Sequence, residues 1–186
     1  MIDFKLNPIS IETDKPQIAE WDSAYALDPN YSSIFEFVLE NGDIRGLAEV
    51  IETNYEHFPI GRNETKQTLV AKSNEGEILG FIIMSAFNLE TSKPELFLQY
   101  VVVNPLYHHQ CVGTNMLETL FSNFKKYIGV KPKNIFAYIH KNNTPSKKLF
   151  SHFDFSFGAV PKSEYLCASI DGKTLKQNIE SQKEKI

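Results

Sequence analysis

Two short stretches of this chain carry residue types whose spacing could do chemistry. The first, VVVNPLYHHQCVGTNMLETL, runs from Val101 to Leu120. A β-branched string ends at Asn104 and Pro105, because proline has no N–H to give a sheet ladder and restricts the residue before it. A loop with two histidines, a glutamine and a cysteine follows, and Gly113 opens a helical pattern. A strand, a short loop and a helix start make an anion site on physical grounds, since the first helical N–H groups lack partners and the dipole is positive there. The second stretch, NTPSKKLFSHFDF, begins at Asn143. Asn143 stands where it would cap a short helix whose first turn holds Pro145.

These stretches need elements to hold them, and the pattern along the chain supplies candidates. In the first 60 residues PISIETD reads as extended, while SSIFEFVLEN and DIRGLAEVIETNYEHF have apolar residues at helical spacing. QTLVAKS and EILGFIIMSAFN flank the Gly-containing turn NEGE and predict a hairpin, with ELFLQYVVV as the next strand. Met116, Leu117, Leu120, Phe121, Phe124 and Ile128 share one helical face, and Gly129 is placed to end it. The pattern predicts one continuous helix of about 24 Å at about 1.5 Å per residue. NIFAYIHK predicts a strand, TPSKKLFSHF a short helix and SEYLCASID a last strand, before a polar tail over 171–186 that reads as a loose helix. The whole predicts an α/β fold with a mixed sheet, antiparallel at the hairpin and parallel across the strand–helix–strand step.

At 186 residues the chain predicts one domain, and no repeat or linker divides it. Fractions of 42% hydrophobic and 23% charged residues argue against disorder. No apolar run reaches the roughly 18 residues of a membrane span, and the acidic start does not read as a secretory signal, so a cytoplasmic protein without a membrane partner is expected. Cys111 and Cys167 are too few for a disulfide framework and read as reduced thiols. His108 and His109 are adjacent and cannot face one metal from a regular element, and His140 and His152 lack a partner at ligand spacing, so no metal is expected. Residues 1–60 hold 12 Asp/Glu against 3 Lys/Arg, a net of −9, and residues 61–186 hold 11 against 16, a net of +5, recovering the overall −4. Such fields suit an anionic ligand in the C-terminal part and a cationic one in the N-terminal part, while the lysines are too dispersed for nucleic acid.

Taken together and in order, the two stretches resemble the GNAT superfamily of N-acyltransferases. In that family V-x-P is followed by a tyrosine, then R/Q-x-x-G-x-G/A and a helix. Aligned on Pro105 and Tyr107, His108 replaces the usual Arg or Gln, Cys111 the first glycine, and Gly113 matches. A second register, Gln110-x-x-Gly113-x-Asn115, keeps a glutamine but displaces the tyrosine. The element N-x-x-[AS]-x-x-L-Y-x-x-x-G-F falls on Asn143, Ser146, Leu149 and Phe155, with Phe150 for tyrosine and Asp154 for glycine.

The resemblance implies a single domain with an acidic helical part over 1–60, a cofactor-binding core over 67–170 and a splayed parallel strand pair in a mostly antiparallel sheet flanked by helices. It implies acetyl-CoA as cosubstrate and the amine of a small molecule or peptide as acceptor, in a monomer or homodimer. The pantetheine arm would bond Val101, Val102 and Val103. The pyrophosphate would lie on His108, His109, Gln110, Cys111, Val112, Gly113 and Thr114, and Asn143, Ser146 and Phe150 would flank the cofactor. A glutamate often serves as base six residues before the proline, where this chain has Gln99, and Glu95 shares that residue's face by alternation. With Phe150 in the place of the usual tyrosine acid, Tyr165 is the substitute candidate. Acidic residues Glu36, Glu40, Asp43, Glu49, Glu52 and Glu56 favour a cationic acceptor. A CoA-binding module without turnover, or an interaction protein on the same fold, is the alternative.

Overall fold

The computed structural model describes residues 2–21 and 64–183. The two early helical patterns and the six acidic residues just named lie outside the described residues. The elements are β1 (Phe4–Pro8), α1 (Ile11–Ala19), β2 (Glu64–Ser73), β3 (Ile78–Phe87), β4 (Glu95–Val103), a 3-10 turn (Pro105–Tyr107), α2 (Val112–Ser122), α3 (Phe124–Ile128), β5 (Asn134–His140), α4 (Thr144–Ser151), β6 (Ser156–Ala159), β7 (Tyr165–Asp171) and α5 (Gly172–Lys183).

The seven strands form one sheet in the order β1-β2-β3-β4-β5-β7-β6. Among the described strands only β4 and β5 run parallel, and every other pair is antiparallel. The hairpin forms because Gly76 takes φ +86, a conformation that glycine reaches without a Cβ penalty. On one face Ile82, Met84, Leu96, Leu98, Ile135 and Ala137 pack under α2 and α5 in the larger core. On the other, Phe81 and Ile83 pack with Ile18 and Trp21 beside α1.

Two expectations are corrected, and two further elements go beyond the pattern. PISIETD is not one extended piece: Pro8 ends β1 and Ser10 holds the position before α1 with no side-chain cap bond, while Asp14 accepts the Ser10 N–H at 2.8 Å and pairs with Lys72 at 2.6 Å. The long helix is two, divided at Asn123 (φ −132), whose side-chain amide donates to the Thr119 carbonyl at 2.9 Å in competition with the helix ladder. Gly129 does end the second piece, at φ +79. A strand at Ser156–Ala159, too short and polar to show in the pattern, forms the sheet edge beside β7. The polar tail is the ordered helix α5, started by Asp171 Oδ1 accepting the N–H groups of Lys173 and Thr174, and it buries Leu175 and Ile179.

Candidate functional site

The centre of the sheet opens where its one parallel pair parts. β4 and β5 are in register only at Glu95, Leu96 and Phe97 against Asn134, Ile135 and Phe136. Beyond Phe97, β4 continues to Val103 paired with β3, and β5 continues to His140 paired with β7. The V-shaped gap leaves the β5-facing backbone of the last β4 residues without a strand neighbour, a geometry suited to an extended ligand that adds as a strand.

A β-bulge sits at the start of this gap. Tyr100 stands opposite Ile83 and Leu98 opposite Met84, so Gln99 is the extra residue. Leu98 and Val101 both turn to the larger core, whereas Val102 turns to the smaller one, so the bulge sends Gln99 and Tyr100 to the same face. That face also carries Phe97, Phe136, Tyr138, His140 and Tyr165 by strand alternation and pairing. Phe97 stacks on Phe136 at 5.0 Å and meets Tyr138 edge-on at 5.6 Å, while Tyr165 meets His140 edge-on at 5.6 Å. Burial, and secondarily the phenol of Tyr100, raise the Tyr165 pKa above its usual value, so this hydroxyl keeps its proton at neutral pH.

Glu95 is elsewhere. It lies at the closed end of the pair, where its carboxylate accepts from Asn88 and Asn134 at 3.2 and 3.4 Å, bridging β4 to β5. A cavity of about 410 Å³ also lies at this closed end, lined by Lys133, Asp154, Ser169 and Asp171, and touches none of the expected site residues.

At the open end the loop is anchored by Asn104. Its N–H reaches the Leu79 carbonyl, its Nδ2 the Ile78 carbonyl at 3.0 Å, and its Oδ1 accepts from Leu106. Tyr107 donates to Glu77 in the hairpin turn, and that bond raises its pKa. His108 Nε2 lies 3.2 Å from the Val103 carbonyl, which fixes the imidazole across the mouth of the gap. His109 and Cys111 both take φ +61. Cys111, in the left-handed region, occupies the place aligned with a glycine, so the departure keeps the shape at a conformational cost. No side chain caps α2, so its first N–H groups, Val112 to Thr114, face the loop without one.

Gly113 serves a purpose the sequence did not single out. A Cβ there would lie 3.3 Å from Val103 Cγ2 and 3.6 Å from Leu149 Cδ2, so its absence lets α2 start close against β4 and α4. Asn143 is the α4 cap: its Oδ1 accepts the Ser146 N–H at 3.0 Å. Phe150 is buried in the larger core, edge-on to Phe155 at 5.0 Å.

The expected residues therefore fall into a group around the open gap (Gln99, Val101 to Val103, the loop from His108 to Thr114, Asn143, Ser146 and Tyr165), with Phe150 behind it and Glu95 at the far end. Sequence reasoning missed Tyr100, Tyr138 and His140. Alternation along NIFAYIHK carries the signal for two of them; Tyr100 needed the bulge.

Among the described residues no group of His, Cys, Asp and Glu could hold a metal ion, and no helix is long and apolar enough to cross a membrane.

Residues 47–155 match the family model of the acetyltransferase (GNAT) family. No characterised protein sequence matches the chain significantly. Among solved structures, it is similar to PaiA N-acetyltransferase from Thermoplasma acidophilum in complex with coenzyme A, at 16% identity and a TM-score of 0.58, covering 91% of this chain and 99% of that one. Spermidine N-acetyltransferase from Vibrio cholerae in complex with CoA and spermine gives 9% identity and a TM-score of 0.63, over 93% and 98%. Ribosomal-protein-S18-alanine N-acetyltransferase from Escherichia coli gives 14% and 0.56, over 90% and 91%. At these identities the likeness is one of fold.

Proposed function

The chain belongs to the GNAT family of acetyltransferases, and from that premise we propose that it moves an acetyl group from acetyl-CoA to the primary amine of a small molecule or peptide, by direct attack in a ternary complex. The observation that carries this reading is the gap: β4 leaves β5 after Phe97, and the loop with an uncapped helix start lies at its open end.

In this reading the pantetheine arm adds to the backbone of Val101, Val102 and Val103. The pyrophosphate takes the N–H groups from His109 to Thr114, with His108 beside it. Asn143 gives its Nδ2 to a pantetheine carbonyl while its Oδ1 holds the α4 cap, and Ser146 and Phe150 form the wall behind.

Attack requires a neutral amine, yet a primary amine with pKa near about 10 is mostly charged at pH 7. Gln99 orients the nitrogen or a water through its carbonyl oxygen but takes no proton, so the proton leaves through water. Glu95, tied to two asparagines, has a bridging role in this scheme. Tyr165 protonates the departing thiolate, replacing the hydroxyl that Phe150 lacks. A thiol of pKa about 8.5 leaves readily, so the demand on that acid is modest. The relatives named for spermidine and for a ribosomal protein act on amines, which supports that acceptor class here.

Calorimetric titration with acetyl-CoA tests the cofactor site. Micromolar binding is expected, lost in Gly113→Glu, whose side chain would enter the space between Val103 and Leu149. No heat and no thermal shift with acetyl-CoA, CoA or longer acyl-CoAs would refute the reading. Binding without transfer to any amine would instead leave a CoA-binding module, the reading favoured by Phe150 and Gln99.

A further inference from the structure

Single exposed apolar side chains are ordinary, but a contiguous patch of them beside a cleft marks a place where something binds. Among the described residues the exposed large hydrophobic side chains are Tyr100 at 40%, Tyr138 at 50% and Leu106 at 77%. Two of these three share the face of the sheet on which the gap opens, Tyr100 on β4 and Tyr138 on β5. Half-buried Phe97 and Phe136 join them: these two rings stack at 5.0 Å with 16° between their planes, and Tyr138 stands edge-on to both, at 5.6 and 6.2 Å.

The strands fix where this patch lies. Phe97 and Phe136 are the last pair in register before β4 and β5 part. Tyr138 and, past the bulge, Tyr100 follow them on either side of the gap. In the reading above, pantetheine enters along Val101 to Val103 from the loop end, so its acetyl group arrives at the four rings.

Charge narrows what can meet it there. Among the described residues no carboxylate stands in the rows of the sheet that hold these rings. Glu95 is one row further toward the closed end, already accepting from Asn88 and Asn134. The row of Phe97 runs through Ser85 to Lys66, two strands away or about 10 Å, so a cation stands to one side. A second ammonium on the acceptor therefore finds no partner in the patch and a like charge beside it. A planar ring finds faces and edges to stack on, which add to the gain from its buried area, and a single ammonium is attracted to the tyrosine faces.

We propose that the acceptor is a primary arylalkylamine, one amine on a short chain bearing an aromatic ring, with the ring against Phe97, Phe136 and Tyr138 and the nitrogen beside Tyr100. The inference rests on the acetyltransferase reading above and names its substrate class. The ammonium loses one proton to water, the nitrogen bonds the acetyl carbon as the C–S bond breaks, and a second proton leaves the nitrogen to water. The thiolate takes a proton from Tyr165, which regains one from water.

The test measures kcat/KM with acetyl-CoA for 2-phenylethylamine, 2-cyclohexylethylamine, 1,3-diaminopropane and spermidine, on wild type and Tyr138→Leu. 2-Phenylethylamine should exceed both polyamines by about tenfold or more, and its saturated analogue by about threefold. Tyr138→Leu should raise the KM for 2-phenylethylamine about fivefold and erase the preference over the cyclohexyl compound. The acetyl-CoA Kd should stay within about twofold, and the Tm should hold because this side chain is half exposed. Equal or better use of the polyamines, or an unchanged preference in Tyr138→Leu, would overturn the proposal while leaving the acetyltransferase reading intact. So would a preference for phenylacetyl-CoA over acetyl-CoA without discrimination among the amines, which would give the rings to the acyl group. Calorimetric titration of the CoA-loaded protein with the same amines serves if none is acetylated. Binding of 2-phenylethylamine alone, weakened in Tyr138→Leu, would then support the ring site while the transfer reading fails, and no binding or equal binding would overturn it.

Discussion

Gly80 on β3 offers a test that links the packing of the sheet to the cofactor gap. It pairs with Val103, and a Cβ added there would lie 2.6 Å from the Val102 carbonyl oxygen and 2.7 Å from Met116 Sδ. The methionine can turn aside, but the carbonyl belongs to the strand. Gly80→Ala must therefore push β4 away by several tenths of an ångström at Val102, within the segment proposed to hold pantetheine. Overpacking of this kind costs about 1–3 kcal/mol, and for a chain of this size each kcal/mol lowers the Tm by about 2–4 °C. The variant should melt several degrees below wild type and bind acetyl-CoA several-fold more weakly. Gly129→Ala is the control: it meets the left-handed cost at φ +79 with nothing within 4 Å, at the end of α3 and away from the loop. It should lose stability of about 1 kcal/mol with an unchanged Kd. Differential scanning fluorimetry and calorimetric titration on the two variants decide the matter. A Gly80→Ala protein with wild-type Tm would refute the packing argument, and one that is destabilised with an unchanged Kd would separate Val102 from the cofactor.

Other consequences follow from single side chains. Tyr165→Phe should lower kcat by up to about 10²-fold, the low end for a general acid because the thiolate leaves readily, with little change in the acetyl-CoA Kd; equal rates in a pre-steady-state assay would remove Tyr165 from the mechanism. Cys111→Gly should stabilise the fold by up to about 1 kcal/mol in urea titration, because glycine takes φ +61 without the Cβ penalty. Burial holds Lys66 down to about 8, opposed by nearby Glu64. The unfolded chain then binds more protons than the folded one between about pH 8 and 10.5, so this group makes stability rise with pH across that window. Lys66→Met should remove that rise and stabilise the protein near pH 7; an unchanged pH profile of the Tm would show that burial does not act on this lysine.

Much of this was legible in the residues themselves. Proline and glycine set the strand end, the hairpin turn and the helix stop through backbone restrictions that act locally. Asn143 and Pro145 marked a helix start for the same reason. Alternation and helical spacing placed β3, β4, β5 and β7, because a half-buried element repeats its apolar residues at its own period. The loop and the second motif could be joined into one family pattern only because both are contiguous.

Tertiary structure decided the rest, where distant residues compete for the same space or the same hydrogen bond. Asn123 breaks a helix whose apolar face runs on unbroken, since its side chain reaches back to Thr119. A polar tail becomes α5 because Leu175 and Ile179 find the core. Strict alternation put Gln99, an orienting group, and Glu95, the candidate base, on one face, but pairing sends Glu95 to the closed end and the bulge brings Tyr100 beside Gln99. Local sequence determines backbone conformation, whereas register across the sheet determines which side chains meet, and the site is made of such meetings.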